Sequence, residues 1–92
     1  SELPFTGTDD YFAVIRQLGK PKADQWRSEQ GELQYRVLRY PDRNLAVILM
    51  GTERNKELYV GALDLNQWKP VHAVSLPSGR DTYSMLRSIK RF

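Results

Sequence analysis

The six residues LAVILM, Leu45 to Met50, constrain this chain more than any other stretch. All six are apolar, and the run is rich in β-formers. It is far short of the ~18 residues of a membrane span. Polar turn sequences close it at both ends, PDRN at 41–44 and TERNKE at 52–57. A short apolar run of this kind predicts a central strand covered on both faces.

The flanking sequence supplies neighbours for that strand. Upstream, Leu33, Tyr35 and Val37 alternate with Gln34 and Arg36, which predicts a strand over 33–40. The Val37-Leu38 pair breaks the alternation there, so a bulge or two-sided burial is expected. The turn SEQGE, with Gly31 free to take positive φ, links it to a shorter strand around 25–28. Downstream, LYVGALDL at 58–65 predicts the next strand. Simple alternation puts Leu58, Val60 and Ala62 on one face, and Tyr59, Gly61, Leu63 and Leu65 on the other. NQWK then leads to PVHAVSL at 70–76. Connections this short imply antiparallel neighbours.

Helical spacing appears only at the two ends. Thr8 is a candidate N-cap, and Asp9 and Asp10 suit a helix start. Tyr11, Val14, Ile15 and Leu18 share one helical face, and Gly19 with Pro21 ends the run. The first helix is expected over 9–18, after an extended lead-in at 1–8. Near the C-terminus, Asp81 or Ser78 is the candidate cap. Thr82, Met85, Leu86, Ile89 and Phe92 then keep helical spacing, predicting a helix over 81–91.

The order is therefore α-β-β-β-β-β-α. This predicts a single α+β domain over 1–92, an antiparallel meander of four or five strands. The N-terminal and C-terminal helices are expected side by side on one face. The other face would be partly wet, or would meet a partner.

Composition narrows the chemistry. Apolar residues make up 40% and charged residues 27% of 92, a folding rather than disordered composition. With no cysteine, structural disulfides, thiolate nucleophiles and the usual structural zinc sites are excluded. One histidine and scattered carboxylates offer no metal site. No P-loop or G-x-G-x-x-G pattern is present, so no cofactor is expected. The chain starts SELPF without a methionine, which fits a processed protein or an excised piece. A soluble domain is expected, with cytoplasmic and processed extracytoplasmic locations both open.

Charge is uneven. Residues 1–79 carry ten Lys/Arg and ten Asp/Glu; residues 80–92 carry Arg80, Arg87, Lys90 and Arg91 against Asp81. The whole excess of +3 thus lies at the C-terminus. Those four cations could grip phosphates. They also lie where a helix end favours positive charge without any ligand.

The lone histidine, His72, is followed by Ser75, Ser78 and Ser84. Strand parity sends His72 and Ser75 to opposite faces, and no G-x-S-x-G elbow accompanies them. A locally bonded, half-buried histidine is the expected state. Asp64, in ALDLN, is expected to bond turn backbone at the end of a strand. The tryptophans are more informative. Trp26 and Trp68 both lie in polar sequence, as core lids or as anchors for a partner.

The phrase VIRQLGKP at 14–21, with the polar stretch and strands after it, resembles small outer-membrane lipoprotein assembly factors. Those carry helices before a three-stranded sheet. The extra strands and second terminal helix here depart from that pattern, and the resemblance assigns no residue a role.

The functional expectation is a non-enzymatic binding domain. Its partner would be a protein or a second copy, met by the uncovered sheet face or a strand edge. Trp26, Arg36, Tyr40 and Trp68 are the candidate anchors and rim. The rival readings are nucleic-acid binding through Arg80, Arg87, Lys90 and Arg91, and a small-ligand sensor or carrier with a pocket between helices and sheet.

Overall fold

The structure is a computed structural model and describes residues 3–91, apart from the side chains of residues 29 and 30. The elements run α1 (Tyr11–Leu18), β1 (Ala23–Gln30), β2 (Leu33–Tyr40), a 3-10 turn (Pro41–Arg43), β3 (Leu45–Gly51), β4 (Leu58–Asp64), β5 (Pro70–Ala73) and α2 (Tyr83–Ser88). The five strands form one antiparallel sheet in sequence order, with β3 at its centre. This is the expected α+β meander with a helix at each end. Among the described residues, no helix is long and apolar enough to cross a membrane.

The helices do not share a face, and this corrects the expected arrangement. Val14, with Tyr11, Ile15 and Leu18 around it, packs from α1 against Leu38, Tyr40, Leu45, Val47 and Leu49. Leu86 and Ile89 pack from the other end of the chain against Tyr35, Val37, Ala46 and Ile48. Alternate residues of β2 and β3 therefore enter two separate cores. The cause lies in the run Leu45–Leu49, which is buried at every position. A strand apolar on both faces needs cover on both, and each helix has only one apolar stripe. Each face of the sheet consequently carries a core closed by one helix, while Gln25 of β1 stays exposed on the α2 side.

The break in alternation also moves. Val37 and Leu38 pair with Ile48 and Val47 in unbroken register, so that pair reflects two-sided burial and not a bulge. The bulge is in β4, where Ile48 pairs with Gly61 but Leu49 pairs with Tyr59. It puts Tyr59 and Ala62 on the α1 side, and Val60 and Leu63 on the α2 side. Gly61 takes φ +147°, and a Cβ there would lie 2.4 Å from Leu86 Cδ1 and 2.6 Å from the His72 carbonyl oxygen. Only glycine lets α2 approach the sheet this closely.

The helix ends show the rest. Asp10, not Thr8, caps α1: its Oδ1 accepts the Ala13 N–H at 2.9 Å. Gly19 ends the helix at φ +84°, as expected. Asp81 Oδ1 accepts the Tyr83 N–H at 3.0 Å. Thr82 is buried, accepts the Val74 N–H and donates to the Val60 carbonyl at 2.6 Å, tying the start of α2 to the sheet.

The second helix is shorter than its spacing predicts. Ile89 is extended, and its carbonyl accepts the Trp68 indole N–H. The Lys90 carbonyl accepts a guanidinium N–H of Arg27. Lys90 and Arg91 thus lie beyond the helix in a tail held by side chains, and Phe92 lies outside the described residues.

Candidate functional site

Two centres combine tryptophan with arginine, one on each face of the sheet. The first is built around Arg36 in the middle of β2, only 3% exposed. Its Nε and Nη2 donate to Asp24 Oδ1 and Oδ2 on β1, at 2.8 and 2.7 Å. Nη1 donates to Asn55 Oδ1 at 2.7 Å and to Glu57 Oε1 at 3.1 Å. The guanidinium lies 3.7 Å from the Tyr11 ring centroid and 4.2 Å from that of Trp26. Arg54 lies 4.0 Å from the same Trp26 ring. Glu57, 1% exposed, accepts the Trp26 indole N–H at 3.0 Å through Oε2 and the Asn55 N–H at 2.8 Å through Oε1.

Arg36, Asp24 and Glu57 answer one another's charges within this first centre, whereas Arg54 has no carboxylate within 4.0 Å among the described residues. Burial on its own lowers the Arg36 pKa, but the hydrogen bonds and charges of Asp24 and Glu57 together outweigh it, so the net shift is upward. The arrangement clasps β1, β2, the β3–β4 loop and the start of α1 together. Among the described residues no buried side-chain nitrogen or oxygen lacks a hydrogen-bond partner.

The second centre is on the α2 face. Trp68 holds φ +58°, a left-handed conformation uncommon for a bulky side chain. Its backbone N–H donates to the Asp64 carbonyl at 2.7 Å, and its indole N–H to the Ile89 carbonyl at 2.9 Å. Asp64 holds the same turn by accepting the N–H groups of Asn66 and Gln67, as expected of a strand-end acid. The guanidinium carbons of Arg39 and Arg91 lie 5.4 and 4.8 Å from the Trp68 ring centroid. Arg91 donates to the Leu65 and Asn66 carbonyls, and Arg39 Nε donates to Gln25 Oε1 at 3.3 Å. Among the described residues, neither arginine has a carboxylate within 4.0 Å. Burial, and then the charge of Arg91, lower the Arg39 pKa. An open groove of about 490 Å³ continues from Trp68 past Lys69 to Tyr83 and Arg87.

The residues named from sequence separate accordingly. Trp26 and Arg36 meet in the first centre, and Arg36 is too buried to form a rim. Trp68 and Arg91 meet in the second, with Arg87 along the groove. Tyr40 belongs to neither. It is 6% exposed and donates to the Gly19 carbonyl at 2.9 Å. Burial, then Tyr11 and Asp24, push its pKa up to about 12 against an opposing effect of Arg43. Arg80 lies in the loop before α2, and no described contact joins it to Arg87, Lys90 or Arg91.

Sequence reasoning missed Asp24, Glu57 and Tyr11 as partners of Arg36. The available signal was an arginine sharing strand parity with Leu38 and Tyr40, which demands a buried carboxylate. His72 Nδ1 shares a 2.7 Å hydrogen bond with the buried Tyr59 hydroxyl, whose pKa burial raises. No described hydrogen bond joins His72 to Ser75, Ser78 or Ser84. Of the surface grooves, one of about 630 Å³ lies beside Leu18 at the end of α1 and Tyr40 at the end of β2, and one of about 300 Å³ lies between Arg27 and Tyr35 of the sheet and Ser88 to Lys90 at the end of α2. No group of three or more potential metal ligands occurs among the described residues. The sequence finds no match among protein families, curated proteins or solved structures.

Proposed function

We propose that this is a non-enzymatic protein-binding domain that takes an extended segment of its partner along the free edge of β1. Because a helix closes a core on each face of the sheet, the edge is the surface we favour of the two the sequence suggested. The observation that carries this reading is β1 itself. It runs eight residues at the end of the sheet and pairs regularly with β2 from Ala23 to Ser28, its outer side free of any other described strand. It contains no proline. An edge of this form offers a row of backbone donors and acceptors to an added strand.

The Arg36 centre supports the same reading. Asp24 and Trp26 are held on the α1 side of β1 by Arg36 and Glu57, so these side chains are fixed before a partner arrives. Preorganisation of this kind lowers the entropy lost on docking. Trp26 is half-buried and flanked by Arg54, which places an aromatic and a cation where side chains of an added strand would pass.

The test is selection from a displayed library of extended peptides of about ten residues, followed by amide hydrogen exchange. Selected peptides are expected to slow exchange along Ala23–Ser28 and to leave α2 unchanged. Protection confined to another surface, or failure to select any binder, would overturn the proposal.

A further inference from the structure

The Trp68 centre poses a separate problem, because the fold brings like charges together there without answering them. Arg39 comes from β2 and Arg91 from the C-terminal tail, yet both sit against one indole. Lys90 and Arg87 lie close by in the chain and also lack a carboxylate partner among the described residues. Two guanidinium groups near one ring repel each other, and an anion bound beside either would offset that repulsion. The described hydrogen bonds occupy only Nε of Arg39, leaving both of its terminal amino groups to donate. A pair of parallel N–H donors on one guanidinium matches two oxygens of a phosphate.

We propose that the α2 face around Trp68 binds the phosphodiester backbone of single-stranded nucleic acid, with Arg39 and Arg91 contacting phosphate and Tyr83 stacking on a base. Three further observations support this. Trp68, which carries Arg39 and Arg91 near its ring, also lines the groove that holds Lys69 and Arg87, so more than one phosphate could find a cation. Tyr83 is 49% exposed beside that groove, with the Arg87 guanidinium 5.9 Å from its ring centroid, so an aromatic surface alternates with the charges. Trp68 occupies a backbone conformation that glycine or asparagine adopts more readily, so its ring is kept at this corner despite the strain. The site differs from the cation set read from sequence: Arg39 and Lys69 join it, Arg80 leaves it, and Lys90 lines a separate groove with Arg27 and Tyr35. The site also lies on the opposite face from the side chains that brace β1, so either proposal can fail alone.

The experiment is fluorescence anisotropy of a labelled, mixed-sequence single-stranded oligonucleotide across a salt series. Arg39→Gln and Arg91→Gln are each expected to weaken binding about fivefold. Each should also reduce the slope of log affinity against log salt by about 0.7, the loss of one phosphate contact. Lys56→Gln, in the β3–β4 loop, serves as the control and should leave affinity unchanged. Circular dichroism checks folding. If either arginine variant unfolds, Arg87→Gln and Lys69→Gln, both at exposed positions along the groove, carry the same prediction. No binding at low salt, binding indifferent to these variants, or equal competition by a polyglutamate peptide would each overturn the proposal. The last result would instead assign the face to an acidic protein. Displacement by inorganic pyrophosphate as effective as by unlabelled oligonucleotide would assign it to small phosphates, and would also overturn it.

Discussion

Trp26 and Trp68 each carry two arginine guanidinium groups against the indole, yet two carboxylates pair with an arginine of the first centre and, among the described residues, none pairs with an arginine of the second. At Trp26, Arg36 is bound by two carboxylates and stacked between two rings. At Trp68, Arg39 and Arg91 share the ring with carbonyl and amide partners only. The same side-chain pairing therefore serves two purposes. Where the protein supplies the counter-charge, the arginine becomes part of the scaffold. Where it does not, the arginine is left with unused capacity for an anion. Burial follows the same division: Arg36 and Glu57 are almost fully enclosed, whereas Arg39 is half-buried and Arg91 exposed.

The largest expected effect lies at the enclosed centre. Arg36→Met removes the positive charge but leaves Glu57 buried with its carboxylate. Breaking one side of a buried pair costs about 3–5 kcal/mol. Urea denaturation should show a loss of that size. Adding Glu57→Gln to the same chain should recover part of it, because the unpaired charge is then gone. A loss below about 1 kcal/mol for Arg36→Met would place the pair in the class of weak surface bridges, and would remove the basis for treating β1 as a braced edge.

The α1 side also carries a pH signature. Tyr40 and Tyr59 both titrate above the ordinary tyrosine value, so folding favours their protonated forms. The sign follows from linkage: their stabilisation is complete below about pH 10 and is lost as pH rises toward the folded values. For Tyr40, with its pKa at about 12, the loss approaches about 2 kcal/mol by pH 12. Denaturation between pH 9 and 12 should therefore be steeper in the natural chain than in Tyr40→Phe. An equal slope in the two proteins would mean that the Tyr40 hydroxyl ionises as readily folded as unfolded.

Much of this fold could be read from the chain because its punctuation is strong. PDRN, TERNKE and NQWK mark turns, and the apolar spacing between them identifies β2 to β5 and both helices. Helix placement was legible too, from Leu45–Met50 read as covered on both faces. Two helices with one stripe each must then divide between the faces, and setting both on one side leaves half of that run exposed. The β4 bulge was harder to see. Gly61 breaks parity through its contact with Leu86, 25 positions later, and local alternation holds no record of it. The Arg36 centre was legible only in part. Trp26 and Arg36 stand out by composition, but Asp24 and Glu57 join them only once β1 and the β3–β4 loop are registered against β2. At Trp68 the sequence showed the excess charge but attached it to a helix end. The tail beyond Ser88 instead leaves the helix and returns to the sheet, where Arg91 meets Arg39.

The smallest predicted stability effect gives the sharpest contrast between the centres. Arg39→Gln removes one of two like charges on Trp68 and keeps a polar side chain able to reach Gln25. Without a bound anion, stability should stay unchanged or rise by up to about 0.5 kcal/mol at low salt. The gain should vanish near 1 M salt, where screening acts within about 3 Å. Thermal melts of the two proteins at both ionic strengths measure this directly. A loss above about 1.5 kcal/mol, the scale of a broken charged hydrogen bond, would mean that Arg39 is a structural tie like Arg36. Arg39 would then not be held in reserve for phosphate, and it would act as scaffold as Arg36 does.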